Sequence, residues 1–401
     1  MRHETRAFTQ NYFNGLQNKR DIESNWKLIK SFLDSTVKRN IPSKMSSGRK
    51  SLPWVSIHIQ RLIRRRDRLH SLYKRTRKTN IYDKWVEMRS RIKKEIRASH
   101  TNFVNGILWD VKTDCKPFWK YINGKRKDKH CIPPLQTKDK IVFSDIDKAE
   151  AFNEQFSSVF TRNTSDEIPL QCPVCVRMDD IHVSTFGVEK LLRGLKTSTA
   201  VVPDNTHPWV LKELATDIAP TISHLFQQSI TDGSLPRDWR TANICPIYKK
   251  NDVSSPSNYR PVSLTSICCK LLEHIISSNI MEHFQNNNIL TAKQHAFRKY
   301  HSCETQLVSV INEWASSLDQ RKQVDVFILD FEKAFDTVPH ELLKSKLYTM
   351  GVTHQVLCWV DAFLSDREQS VVVNGSRSNP SKVTSGVPKG QFWDPFSSWP
   401  I

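Results

Sequence analysis

The residues best placed to do chemistry run from Val326 to Val338. Val324, Val326, Phe327, Ile328 and Leu329 are β-branched, aromatic or aliphatic, the composition of a buried strand. Asp330 ends the run, and a carboxylate there is costly to bury unless a cation pairs with it. The chain then turns through Phe331, Glu332 and Lys333 into Ala334-Phe335-Asp336. An acid leaving a stiff strand offers the hard oxygen a magnesium ion needs. The same aspartate could cap a following helix, and on spacing alone the capping reading has the advantage.

A second group is cationic. Ile244 to Tyr248 reads as a strand ending in Lys249-Lys250, and a polar loop leads on to Asn258-Tyr259-Arg260-Pro261. Fixed cations of this kind suit phosphate oxygens, arginine through its planar fork. Taken singly, each reads as part of a basic hairpin tip. Cys172 and Cys175 form a CxxC, but no second pair stands at zinc-ribbon spacing and the nearest histidine is His182.

The elements that must position these groups follow from pattern and composition. The chain has 401 residues, enough for two or three domains and a sizeable core. Lys plus Arg is 60 against 41 Asp plus Glu, a net +19, which favours a polyanionic partner and nucleic acid before membrane. No apolar run reaches the length of a spanning helix, and the N-terminus lacks a signal peptide's apolar core. That argues against a membrane or secreted protein. Nine scattered cysteines read as reduced thiols of an intracellular protein.

Residues 1–50 read as a polar N-terminal connector with one helix near Asp21 to Val37. Residues 51–130 read as a basic helical hairpin. Leu52-Pro53-Trp54 opens its first helix, Thr79-Asn80 breaks it, and Trp85, Met88, Ile92, Ile96, Phe103 and Ile107 stripe the second. Between Arg61 and Lys129 stand 22 basic and 7 acidic residues, so this segment predicts a phosphate-backbone surface. Phe118, Trp119 and Tyr121 are expected to close the hairpin as buried aromatics, with base stacking the other use of such rings. Residues 131–200 form a linker region. In 201–401, helices are expected around Ile222 to Ile230 and Ile267 to Phe284. Another over Leu307, Val310, Ile311, Trp314 and Leu318 should lie beneath a sheet. Ser370 to Val373 with Asn374-Gly375 predicts a strand and tight turn.

Five ordered motifs carry a family resemblance. PIYKKND (246–252), NYRPVSL (258–264), QHAFRKYHS (294–302), FILDFEKAFD (327–336) and SGVPKG (385–390) resemble, in that order, the fingers and palm motifs of reverse transcriptases from non-LTR, LINE-type and jockey-like retrotransposons. The resemblance covers roughly residues 50 to 396. It implies an α+β fold: a helix-rich basic N-terminal region, then fingers and an incomplete palm with a partial antiparallel sheet over 201–401. It implies RNA-directed DNA polymerase chemistry, in which a primer 3′-hydroxyl attacks the α-phosphate of a dNTP and pyrophosphate leaves, with an RNA template, a DNA primer or target, and Mg²⁺.

By resemblance Asp330 is the catalytic metal ligand and overturns the capping reading. Lys249, Lys250, Arg260, Phe331, Phe335, Lys389 and Gly390 meet the nucleotide, and Arg298 meets the template. Phe335 matches the ring that excludes a 2′-hydroxyl. Lys389 replaces the family's glutamine, and His295 or Ala296 stands where it usually has glycine. Met178-Asp179-Asp180 mimics the palm's aspartate pair but precedes the Asp330 motif by about 150 residues, where the family has none. After Pro395 the match stops. The resemblance therefore implies a fragment lacking the later palm, its aspartate pair, the thumb and a preceding endonuclease domain, and inactive alone. The alternative is a non-catalytic nucleic-acid-binding remnant that uses the basic helices and fingers.

Overall fold

The computed structural model describes residues 1–15, 20–42, 52–112, 114–125, 132–137, 140–161, 176–197, 202–330 and 333–388. Met1–Pro42 and Ile132–Ile401 fall in one compact unit and Ser43–Cys131 in another. In the first, α1 (Arg2–Asn14) and α2 (Ile22–Asn40) occupy the segment read from sequence as a polar connector. They bury Tyr12, Trp26, Ile29 and Leu33 in the main core. The α2 positions recur about one helical turn apart, as its pattern predicts. Trp26 Nε1 and Lys30 Nζ both donate to Asp238 Oδ2, at 3.0 and 2.6 Å. Burial works against the Asp238 charge, but these bonds outweigh it and hold its carboxyl below the ordinary value.

The other unit holds α3 (Ile57–Thr76), α4 (Thr79–Asp110) and α5 (Lys116–Lys125), with α3 packed along α4. Helix α3 begins at Ile57, not at Leu52, because Ser56 Oγ accepts the Ile59 N–H at 3.3 Å. The break falls at Arg77-Lys78, Arg77 taking a left-handed φ of 53°. At one end Trp54 packs against His100, Phe103 and Tyr121. Tyr121 closes the hairpin as expected, while Trp119 remains half exposed.

In the larger unit β1 (Leu135–Gln136) and β2 (Ile141–Val142) form a small ribbon. There follow α6 (Asp145–Ser157), α7 (Thr185–Arg193), α8 (Pro208–Glu213), α9 (Ala215–Asp232), β3 (Thr241–Tyr248), β4 (Tyr259–Leu264), α10 (Ile267–Asn286), α11 (Cys303–Asp319), α12 (His340–Thr349), α13 (His354–Leu364), β5 (Arg367–Val373), β6 (Ser376–Arg377) and β7 (Ser381–Val383). The main sheet runs β4-β3-β5-β6, with β7 also on β5. Strands β3 and β4 make an antiparallel hairpin, but β3 and β5 pair in parallel, Thr241 opposite Glu368. The sheet is thus mixed rather than antiparallel: more than a hundred residues separate β3 from β5, long enough for a crossover return. Asn374 and Gly375, with φ of 50° and 91°, make the tight turn the sequence predicts. Helix α6 covers one sheet face, where Phe152 and Phe156 meet Ala242, Ile244, Tyr259, Val371 and Val373. The main core gathers α1, α2 and α7 to α10 with α12 and α13. The architecture is helix-rich α+β. Among the described residues no helix is long and apolar enough to cross a membrane.

Two expectations fail together. Helix α11 forms, with a Ser302–Thr305 capping box, but buries none of its residues, so it does not lie beneath the sheet. Residues 322–330 form no strand, and Phe327, Ile328 and Leu329 are 87–89% exposed. Strand composition is present, but a strand needs a neighbour for its backbone groups. Among the described residues no strand pairs with this segment.

The turn beyond it is held firmly. The Val387 and Gly386 N–H groups donate to Phe335 O and Val338 O, at 2.8 and 2.9 Å. Ser385 Oγ donates to Asp336 O at 2.8 Å and accepts the Thr161 N–H at 2.9 Å. His340 Nε2 donates to Gly386 O at 2.8 Å. Gly386 has φ of 81°, and a Cβ there would lie 2.5 Å from Phe335 O. Both the dihedral and the close approach demand glycine.

Gly386→Ala should therefore destabilise the chain by at least about 2 kcal/mol, read as a lower midpoint in urea unfolding. An unchanged midpoint would contradict the clasp. A pH dependence follows from His340. Burial pushes its pKa down, with Lys344 and Arg367 adding to the effect against the Gly386 bond. The unfolded chain protonates first, near about pH 6.5. Stability is complete above that value and falls as pH drops towards the lower folded one. His340→Gln keeps a donor but cannot titrate, so it should lose less Tm between about pH 7 and about pH 5. His224 and His274, also pushed down by burial, contribute in the same direction. The same loss in variant and parent would exclude His340 as a contributor.

Candidate active site

The clasp brings together two motifs that lie about fifty residues apart. Phe335 and Asp336 meet Ser385, Gly386 and Val387 beside the β3–β4 hairpin, around a cavity of about 40 Å³. Phe335 is partly buried against the main core. Arg367 and Gln369, at the start of β5, face the same cavity. Arg367 is fully enclosed: Nη1 donates to Phe363 O at 2.9 Å and the guanidinium lies 4.5 Å from the Phe363 ring centroid. Burial pushes its pKa down, while Cys269 and Glu273 act to hold it up. Arg367 Nη2 and Gln369 Nε2 are buried without an acceptor, an unusual state for two donors in one cavity. Sequence reasoning missed this polar floor. Its only signal was an arginine and a glutamine two residues apart in the polar first half of β5.

Asp330 lies elsewhere in character. It is exposed, at the end of the unpaired 322–330 segment. Among the described residues no trio of His, Cys, Asp or Glu is placed to hold a metal. The described residues therefore do not fit a magnesium site. Asp336 donates its N–H to Lys333 O at 2.8 Å, a local turn bond. Met178 is buried, with Asp179 and Asp180 exposed in a loop, so the aspartate pair there builds no metal cluster either. Phe331, Lys389, Gly390, Cys172 and Cys175 lie outside the described residues.

Lys249, Lys250 and Arg260 are all exposed at the tip of the β3–β4 hairpin. The Lys249 N–H donates to Asn258 O at 2.9 Å, and Asp252 accepts the Ser254 N–H at 2.9 Å, so the loop carrying the lysines is internally laced. Arg260 pairs with Ile247 across the hairpin. Paired residues share a face, and the cavity is lined by the alternate residues Ala242, Ile244, Pro261 and Ser263. Arg260 thus leaves the sheet on the face away from Phe335, and the structure does not bring the two together. Arg298 Nη1 donates to Thr291 O at 2.8 Å, binding its own loop. In that loop Phe297 and Tyr300 take φ of 59° and 64°. A backbone that would favour glycine is present even though His295 and Ala296 are not glycine.

Residues 247–395 match the reverse transcriptase (RNA-dependent DNA polymerase) family. The chain is 25% identical over 331 residues to the probable RNA-directed DNA polymerase from transposon BS of Drosophila melanogaster, covering 78% of this chain and 36% of that protein. It is 24% identical over 406 residues to the RNA-directed DNA polymerase from mobile element jockey of Drosophila funebris, covering 95% and 43%. A third relative is the retrovirus-related Pol polyprotein from type-1 retrotransposable element R2 of Popillia japonica, 26% identical over 171 residues. The chain spans less than half the length of these relatives. The clasped residues Phe335 to Val338 and Ser385 to Val387 lie within the segment that matches this family, and the relatives that the chain resembles include polymerases of mobile elements.

Proposed function

We propose that the chain is the fingers and early palm of an RNA-directed DNA polymerase acting on an RNA template, a DNA primer or target and dNTPs. The observation that carries this is the backbone clasp joining Phe335–Val338 to Ser385–Val387 beside the β3–β4 hairpin. In this reading Phe335 lies under the sugar of the incoming nucleotide, and Phe331, Lys389 and Gly390 also meet the nucleotide. Lys249, Lys250 and Arg260 meet its phosphates, where charge-assisted bonds are strongest. Arg298 holds the loop that guides the template. Asp330 contributes one carboxylate, and magnesium is the cation its hard oxygen suits.

Because Asp330 stands at the end of an unpaired segment, the chain alone should not extend a primer. Catalytic groups need placement within about half an ångström, and an exposed segment gives none. The +19 balance favours a second reading, a nucleic-acid-binding remnant that works through its basic helices.

Primer extension separates the two. The chain alone should show none above background. Joined to the C-terminal remainder of a jockey-type relative, it should extend an RNA-templated primer. Asp330→Asn in that longer chain should then cost at least about a thousandfold, and Asp336→Asn much less. Extension by the chain alone, or a larger loss at Asp336, would overturn the assignment. No extension by the longer chain would favour the second reading.

A further inference from the structure

We propose that the turn end of the α3–α4 hairpin is a stacking platform for single-stranded nucleic acid. The proposal rests on the polymerase reading and deepens it, naming the form of strand that the basic unit takes.

Four rings from two helices make a ladder there. His70 and Trp85 stack with centroids 5.0 Å apart and planes 22° apart. Trp85 meets Tyr82 at 5.6 Å, and Tyr82 meets Tyr73 at 5.1 Å. Arg89 lies 5.7 Å from the Trp85 ring centroid. A ladder that only glued two helices would be covered. Here Tyr82 is 41% exposed and the other three rings are half-buried. The residues α3 and α4 do bury, Ile59, Leu62 and Ile92, lie about two helical turns further from the loop.

The charge around the ladder points the same way. Lys74, Arg75, Arg77 and Lys78 fall within five residues, and none of them makes a salt bridge among the described residues. Like charges so close repel unless an anion offsets them. Arg77 also occupies the left-handed position that ends α3, where glycine fits with least strain. Cations alone would serve duplex and single strand alike. Partly exposed rings add something only an unstacked base can use, because every base has a π-face and a duplex keeps its own faces stacked. Rings and cations together therefore select a single strand.

The test is equilibrium binding by the full chain, at one salt concentration, of a labelled oligothymidylate and of a DNA duplex of matched length. The single strand should bind more tightly. Tyr82→Leu removes the most exposed ring and should weaken single-strand binding roughly tenfold, leaving duplex binding within about twofold. Arg77→Gly should weaken both and lower the salt slope by about one, with Tm unchanged or raised, so its effect cannot be put down to misfolding. Equal losses on both ligands with Tyr82→Leu, no loss on either, or no single-strand preference in the parent chain would each overturn the proposal. Primer extension by the longer chain reads the polymerase assignment separately and can fail with this binding intact.

Discussion

A β-strand exists only where another strand takes its backbone N–H and C=O groups. That constraint orders most of the larger unit. The β3 strand is satisfied on both sides, by β4 and by β5, and the helices of the main core and α6 pack around the result. The 322–330 segment has equally strong strand-forming residues and no partner among the described residues, and its three largest apolar side chains stand in solvent. Helix α11, directly before it, is capped and complete yet buries nothing. Its apolar residues Leu307, Val308, Ile311 and Leu318 are exposed, as are those of 326–329, and exposed apolar groups in such number are the sort that mark an interface.

The site consequently divides into a fixed part and an unfixed part. The fixed part is the clasp, where Gly386 lets one backbone approach another and Ser385, His340 and Thr161 lock the approach with hydrogen bonds. It sets Phe335 against the enclosed polar floor made by Arg367 and Gln369. The unfixed part is Asp330, only five residues away in sequence. A carboxylate exposed to water on an unpaired segment draws cations little better than one free in solution, and stiff support is what turns an acid into a ligand. The hairpin cations fall between these cases. Their loop is laced, but Arg260 leaves the sheet on the face opposite the cavity that Phe335 lines.

Local pattern was enough to read the helices. Trp26, Ile29 and Leu33 placed α2, and Ile267 to Phe284 placed α10, because an amphipathic or buried helix satisfies its own backbone. The tight turn at Asn374-Gly375 was legible for the same reason: its chemistry is local. Pairing was not. Parallel pairing of β3 with β5 depends on how more than a hundred intervening residues fold, and nothing in either strand announces it. The absence of a strand at Val326 to Leu329 was equally invisible, since the residues qualify and only the neighbour is lacking. The role of residues 1–42 was hidden because α1 and α2 are polar on average, while a few of their residues, Tyr12 and Trp26 among them, reach a core built from α9 and the segment before β3. Within the site, motif order carried the family resemblance. It could not tell that Gly386 touches Phe335 or that Arg298 is occupied with its own loop.

The central claim is that Asp330 lacks the strand pairing that would fix it, and that the proposed polymerase role depends on that pairing. Amide hydrogen exchange at Val326, Phe327, Ile328 and Leu329 measures this directly. In the chain alone these amides should exchange at nearly the rate of an unstructured peptide, while those of Val371 and Val373 in β5 remain protected. In the longer chain that extends a primer, the same four amides should become protected. Strong protection at 326–329 in the chain alone would contradict the account, because it would mean that the Asp330 segment is already held.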